Sequence, residues 1–121
     1  MSSVLRILDA NFNRVSESVR CIEDFFRFSK EDTGKTQELK NIRHKLKSIK
    51  ELIEKESAST VLFRDTFNDP GTGLETKSEY SRTCAEEIFY TNIKRMQQGL
   101  RVLEEYSKMI SVQAAKELEK F

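Results

Sequence analysis

Apolar positions recur along the N-terminal part of the chain at helical intervals. Leu8, Phe12, Val15, Val19, Ile22 and Phe26 follow one another at steps of four, three, four, three and four residues. At about 100° per residue these fall on one narrow stripe and predict a first helix over about 4–29. Gly34 reads as the break that follows, with Asp32 and Thr33 as loop or cap residues. Leu39, Ile42, Leu46, Ile49 and Ile53 repeat the rhythm and predict a second helix over about 36–55. A third stripe, Phe89, Ile93, Met96, Leu100 and Leu103, predicts a helix over about 84–109. Ser111 then reads as the N-cap of a short last helix over about 111–120.

Between about 57 and 82 no period holds. Val61-Leu62-Phe63 is too short to be more than a buried anchor, and Pro70, Gly71 and Gly73 fall close together. A long aperiodic connection inside a compact domain is uncommon and often functional. The predicted fold is all-α: one domain over 1–121, a compact bundle of three long helices plus a short C-terminal one.

The first and third helices also share polar positions. Asn11-Phe12-Asn13-Arg14 returns as Asn92-Ile93-Lys94-Arg95, and Arg20-Cys21-Ile22-Glu23-Asp24-Phe25 as Arg101-Val102-Leu103-Glu104-Glu105-Tyr106, at one constant offset. Amphipathic helices share apolar spacing by default, but not an Asn, two Arg and a Glu in register. This is an internal repeat, and it predicts that the two helices pack together about an approximate two-fold. Arg14 and Arg95 sit beside the apolar stripe, where a charge needs a partner. With Asn11 and Asn92 they are candidates for binding an anion. Arg20, Glu23, Arg101 and Glu104 read equally well as ligand contacts or as structural polar contacts. Among the latter, Arg20–Asp24 and Arg101–Glu105 are spaced for intrahelical ion pairs.

Composition narrows the classes. Among 121 residues, 34% are charged and Gly plus Pro fill only five positions, which excludes collagen-like and low-complexity chains. The 21 basic and 20 acidic residues leave a net charge of +1. No basic excess is there to grip nucleic acid by counterion release. No apolar run approaches the roughly 20 residues of a membrane span, and the first residues lack a signal-peptide core. Cytoplasmic residence is the expectation. Cys21 and Cys84 lie far apart and His44 is the single histidine, so a Cys/His metal cluster cannot be assembled. Both cysteines read as free thiols and small buried hydrophobes.

The chemistry concentrates in the aperiodic segment, Arg64-Asp65-Thr66-Phe67-Asn68-Asp69-Pro70-Gly71-Thr72-Gly73. Two carboxylates four residues apart suit a hard cation. Arg64 offers a bidentate fork to phosphate, and backbone N–H groups near Gly71 can cradle an anion beside Thr72. Asn68, Pro70 and Gly73 are ordinary turn residues. Gly34-Lys35-Thr36 imitates the end of a P-loop, but Ser29 stands where its first glycine belongs and no strand precedes it. On the second helix, Arg43 is a further candidate phosphate partner beside His44.

Taken in order, Arg6-Ile7-Leu8-Asp9-Ala10-Asn11, Arg14, Arg20-x-x-Glu23-Asp24, Leu39-Lys40-x-x-Arg43-His44, Arg64-Asp65-Thr66-x-x-Asp69-Pro70-Gly71-Thr72, Asn92-x-x-Arg95 and Leu100-Arg101-Val102-Leu103-Glu104-Glu105-Tyr106 form a series. It resembles the helical domain often fused N-terminally to thiamine phosphate synthase, a family understood to be a monofunctional hydroxymethylpyrimidine phosphate kinase. The resemblance covers about residues 6–109. It implies ATP- and magnesium-dependent phosphorylation of 4-amino-5-hydroxymethyl-2-methylpyrimidine phosphate to the diphosphate. Arg64, Asp65 and Asp69 would then be catalytic, with the two aspartates holding Mg2+. Asn11, Arg14, Arg20, Glu23, Arg43, Gly71, Thr72, Asn92, Arg95, Arg101 and Glu104 would bind substrate or nucleotide. Expected partners are the phosphorylated pyrimidine, the nucleotide, a thiamine phosphate synthase acting in trans, and a second copy in a homodimer. Neither nucleic acid nor membrane is among them.

The chain departs from the family pattern at Gln98, where the repeat and many relatives carry Glu, and at Thr91, where Ala is usual. The synthase barrel is missing, so a free-standing form is expected. The competing reading is a non-catalytic helical module that binds the phosphorylated pyrimidine, or that docks on a synthase and regulates it. The two differ at Asp65 and Asp69, which only a magnesium-using enzyme needs. A purely structural bundle is disfavoured by the Arg- and Asp-rich loop.

Overall fold

All three stripes form helices in the computed structural model, which describes residues 2–57, 60, 64–65, 67–70 and 82–121. Helix α1 spans Ser2–Asp24, α2 Thr33–Glu56, α3 Ala85–Ser107 and α4 Val112–Glu119. No strand occurs among the described residues. The architecture is the all-α bundle of three long helices and a short one.

The first stripe continues past α1 into a wider π-helical turn, Phe25–Ser29. The extra width lets two consecutive aromatics meet the same ring. Phe25 stacks on Phe89 with centroids 4.6 Å apart, and Phe26 meets Phe89 edge-on at 5.4 Å. Glu31 then takes a left-handed backbone (φ 50°), and the chain turns into α2. Asp32 caps α2 by accepting from the Lys35 N–H at 2.9 Å, so the helix starts at Thr33 and takes Gly34 into its first turn. The expected start at 36 is therefore too late, because a capping Asp outweighs one glycine. Ahead of α3, the Glu87 carboxylate accepts from the Thr83 N–H at 2.9 Å and from its hydroxyl, which holds Glu87 below the usual carboxylate range. Ser111 caps α4 through the Ala114 N–H at 3.1 Å, as expected.

The core joins Leu8, Phe12, Val15, Val19 and Ile22 of α1 to Leu46, Ile49 and Ile53 of α2, Leu103 of α3, and Ala114 and Leu118 of α4. Ile93 and Met96 pack against the same cluster. Helix α1 lies chiefly against α3 and secondarily against α2. Val15 meets Gly99, and ten residues further on Phe25 meets Phe89, so α1 and α3 run antiparallel. Two equivalent helices packed antiparallel are related by an approximate two-fold, as the repeat predicts. Both cysteines are free, but they are exposed instead of buried. Cys21 lies off the stripe of α1, and Cys84 precedes the first turn of α3. No described helix is long and apolar enough to cross a membrane.

Candidate functional site

The side of α1 turned away from the core borders three adjoining clefts. The first, of about 430 Å³, lies between α1 and α3. Its lining falls into five pairs at the repeat's constant offset: Asn11 with Asn92, Arg14 with Arg95, Glu17 with Gln98, Ser18 with Gly99, and Cys21 with Val102. The cleft therefore sits on the approximate two-fold. Its two asparagines are fixed alike: each is buried and donates from Nδ2 at 2.9 Å to the carbonyl four residues earlier, Ile7 for Asn11 and Ile88 for Asn92. An amide nitrogen carries two N–H groups, so each Asn keeps one to offer a ligand. Arg14 and Arg95 face the same cleft as expected, but their side chains are exposed and not pressed into the core.

The second cleft, of about 320 Å³, shares Asn11 and Arg14 with the first and is closed by Arg6, Asp9, Arg64, Asp65 and Asp69. It brings Arg64, Asp65 and Asp69 of the predicted loop onto the N-terminal half of α1. Asp9 is its anchor. This buried carboxylate receives both Nε and Nη2 of Arg64 at 2.8 Å, the Thr60 hydroxyl at 3.2 Å, and Lys50 Nζ at 4.0 Å. The Arg64 hydrogen bonds hold the Asp9 carboxyl below its ordinary value. Burial opposes them, while the charges of Arg64 and Lys50 and the Thr60 hydroxyl assist. Asp9 in turn holds Arg64 more firmly charged. Asp65 accepts the Asn68 N–H at 3.1 Å and its side-chain amide at 2.6 Å, which lowers its pKa and closes the turn. Arg6 reaches the Asp65 carbonyl at 3.4 Å.

The third cleft, of about 440 Å³, lies between α1 and α2 and carries Arg20, Arg43, Lys47 and Lys50. Glu17 borders both it and the first cleft. Arg43 is engaged by Glu23, which is only 3% exposed. Nη2 donates to Oε1 at 3.1 Å, and Nε lies 2.8 Å from Oε2, off the N–H direction, so that contact is ionic and not a hydrogen bond. The pair ties α1 to α2. Its repeat equivalent is different: Arg101 binds Glu104 at 3.2 Å and Glu105 at 3.4 Å on its own exposed helix face, outside the clefts. Arg20 and Asp24 form no ion pair among the described residues, and His44 is exposed. Gly71 and Thr72, predicted to bind phosphate, and the Val61–Phe63 anchor lie outside the described residues.

Asp65 and Asp69 suit a magnesium ion in kind. Mg2+ is commonly held by one or two carboxylates together with substrate phosphates and water. No group of three His, Cys, Asp or Glu side chains placed to hold a metal occurs among the described residues. The two aspartates and a phosphate would thus have to share the ion.

Asp9 and Glu17 stand in the sequence as a member of the family series and as the repeat's Glu opposite Gln98, but neither they nor Lys50 are given a site role there. Asp9 stands next to Leu8, in step with Leu5 and Phe12. A carboxylate at the edge of an apolar stripe needs a cation.

The family model described as "ThiD2 family" matches residues 6–121, nearly the whole chain. The chain belongs to the ThiD2 family. Among its curated relatives, the thiamine-phosphate synthase of Gloeobacter violaceus is 41% identical over 107 residues, 88% of this chain and 30% of the relative. That of Rhodopirellula baltica is 42% identical over 106 residues, 88% of this chain and 28% of the relative. That of Nostoc punctiforme is 37% identical over 113 residues, 93% of this chain and 30% of the relative. This ThiD2 chain thus spans less than a third of the curated relatives it matches. No solved structure matches it.

Proposed function

We propose that this ThiD2 chain acts in thiamine biosynthesis as a kinase, phosphorylating 4-amino-5-hydroxymethyl-2-methylpyrimidine phosphate to the diphosphate with ATP. One observation carries the reading: two polar clefts adjoin and share Asn11 and Arg14. A transfer between two phosphorylated molecules needs two binding spaces that meet at the reacting phosphates. Most of the catalysis is then positioning and neutralisation of charge.

In this scheme the α1/α3 cleft receives the pyrimidine monophosphate, with Arg95, Asn92 and Asn11 as donors. The loop-side cleft receives the nucleotide phosphates. Arg14, common to both, lies against the phosphoryl group in transit. The P–O bond between the γ-phosphorus and the ADP oxygen breaks, a bond from that phosphorus to the acceptor phosphate oxygen forms, and ADP leaves. A phosphate monoester is mostly dianionic at neutral pH, so the acceptor needs no general base. Asp65 and Asp69 would hold magnesium, which supplies charge neutralisation at the phosphates when bound. Asp9 positions Arg64 by gripping its guanidinium from the buried side.

A second reading, a non-catalytic module that binds the phosphorylated pyrimidine, is favoured by one feature: Arg64 and Asp65 are already partnered within the chain. An ADP-release assay with the purified chain, ATP, magnesium and the pyrimidine monophosphate decides between them. Magnesium-dependent ADP release supports the kinase. Binding of the pyrimidine monophosphate without any ADP release leaves the module.

A further inference from the structure

The α1/α3 cleft presents one pair of polar residues, an Asn and an Arg three positions apart, from each of its two helices. Asn11 and Arg14 on one helix and Asn92 and Arg95 on the other occupy equivalent positions about the approximate two-fold, and both asparagines make the same hydrogen bond on their own helices. Arg43, Arg64 and Arg101 are committed elsewhere, to Glu23, to Asp9, and to Glu104 and Glu105 respectively. Among the described residues, Arg14 and Arg95 form neither a hydrogen bond nor an ion pair, although Glu17 lies in the same cleft and one turn from Arg14. An Asn N–H beside a guanidinium is an anion half-site, and this cleft has two. Three of the lining pairs break the symmetry, and one of these places a charge in the cleft: Glu17 on α1 against its equivalent, Gln98 of α3.

We infer that the α1/α3 cleft is a two-phosphate site, with Asn11–Arg14 and Asn92–Arg95 as matched half-sites, and that Glu17 sets the direction in which an asymmetric ligand lies. The ligand class is an organic diphosphate, or a pair of phosphates about to become one, carried by a group that bears an amine. A carboxylate repels phosphate and accepts N–H bonds, whereas the Gln98 amide can both donate and accept. The amine-bearing end therefore lies toward Glu17. The identity of that ligand as the pyrimidine diphosphate rests on the proposed kinase reading. The two half-sites rest on the geometry alone.

The test is binding, with no turnover required. Inorganic pyrophosphate and orthophosphate are titrated calorimetrically into the full chain and into Arg14→Ala, Arg95→Ala, Lys47→Ala and Glu17→Gln, with folding checked by circular dichroism. Pyrophosphate should bind more tightly than orthophosphate. Arg14→Ala and Arg95→Ala should each weaken it by about tenfold or more, and to a similar extent, as loss of a charge-assisted contact does. Glu17→Gln should strengthen pyrophosphate binding and reduce the preference for the aminopyrimidine monophosphate over orthophosphate. Lys47→Ala, which alters the neighbouring α1/α2 cleft, should leave pyrophosphate affinity within about twofold. The inference is overturned if pyrophosphate does not bind, if only one of the two arginines matters, or if Lys47→Ala removes binding while both arginine variants retain it. A chain that binds pyrophosphate through both arginines but releases no ADP would refute the kinase and leave the two-phosphate site standing.

Discussion

Gly99 of α3 rests directly on Val15 of α1: a methyl group at position 99 would run into Val15 Cγ2. Val15 is fully buried and its branched side chain cannot swing aside cheaply. This contact sets how closely the two repeat helices approach, and hence the width of the cleft between them. Gly99→Ala should gain about 1 kcal/mol of helix propensity yet lose more to overpacking, for a net destabilisation of about 1–2 kcal/mol. Adding Val15→Ala should cost less in the Gly99→Ala background than in the native chain. Urea unfolding of the four proteins measures this, and a Gly99→Ala chain more stable than the native one would refute the close approach.

The fork between Arg64 and Asp9 makes a prediction in acid. Asp9 in the folded chain ionises below the carboxylate value of 3.8 that it returns to on unfolding. The unfolded chain therefore binds its proton first as the pH falls. The stability Asp9 contributes is complete above the unfolded value and is lost as the pH drops through the lower native one. Asp9→Asn should cost about 1–2 kcal/mol at neutral pH, discounted because Arg64 is partly in water. Asp65, Glu87, Glu105 and Glu117 are also lowered and shape the same acid limb, so the native and variant curves must be compared as a difference. That difference should shrink as the pH falls from the unfolded value of 3.8 through the lower native one. A difference independent of pH would show that the fork contributes no titrating stability.

The same logic applies to Glu23 and Arg43, the tie between α1 and α2. Removing Arg43 strands a carboxylate that is 3% exposed. Arg43→Ala should cost about 3 kcal/mol, and Glu23→Gln less, about 1–2 kcal/mol. Arg43→Ala should cost less when Glu23→Gln is already present, with a coupling of about 1–2 kcal/mol in a double-mutant cycle. Additive costs would mean that the two side chains act independently.

The elements were legible because each long helix carries an unbroken apolar stripe, and because Ser111 is a strong capping residue followed by helix formers. The π-helical turn at Phe25–Ser29 was hidden, since the ring that Phe25 and Phe26 both meet, Phe89, lies sixty-odd residues away. The expected start of α2 falls three residues late because a glycine inside a first turn reads as a break, and only the Lys35 N–H bond shows that Asp32 caps the helix ahead of it. For the site, the repeat disclosed Asn11, Arg14, Asn92 and Arg95, which do share one cleft. It could not show that Glu23 and Glu104, equivalent in register, have opposite surroundings. One meets a neighbouring helix and the other only its own arginine. Partners such as Asp9 with Arg64 join positions far apart in the chain, and single-helix periodicity carries no trace of them.

The last prediction separates the enzyme from the binding module. Asp65 and Asp69 border the cleft that holds Arg64 and Arg14, close to where the proposed kinase transfers phosphate. Asp65→Asn and Asp69→Asn keep size and much of the hydrogen bonding while removing charge. Both positions lie outside the helical core, so helicity by circular dichroism should be unchanged. Each substitution should lower turnover about a hundredfold or more and raise the magnesium concentration needed for half-maximal rate, as losing a well-placed electrostatic contact does. Pyrimidine monophosphate affinity measured without metal should shift by less than about threefold, because the α1/α3 cleft keeps its own arginines. Asp65 has a second duty, closing its turn through Asn68, and asparagine at 65 can still accept one of those bonds. Asp65→Ala should therefore be worse than Asp65→Asn in stability but no worse in magnesium dependence. Folded variants with native turnover and native magnesium dependence would remove the metal from this loop and leave Asp65 with its turn alone.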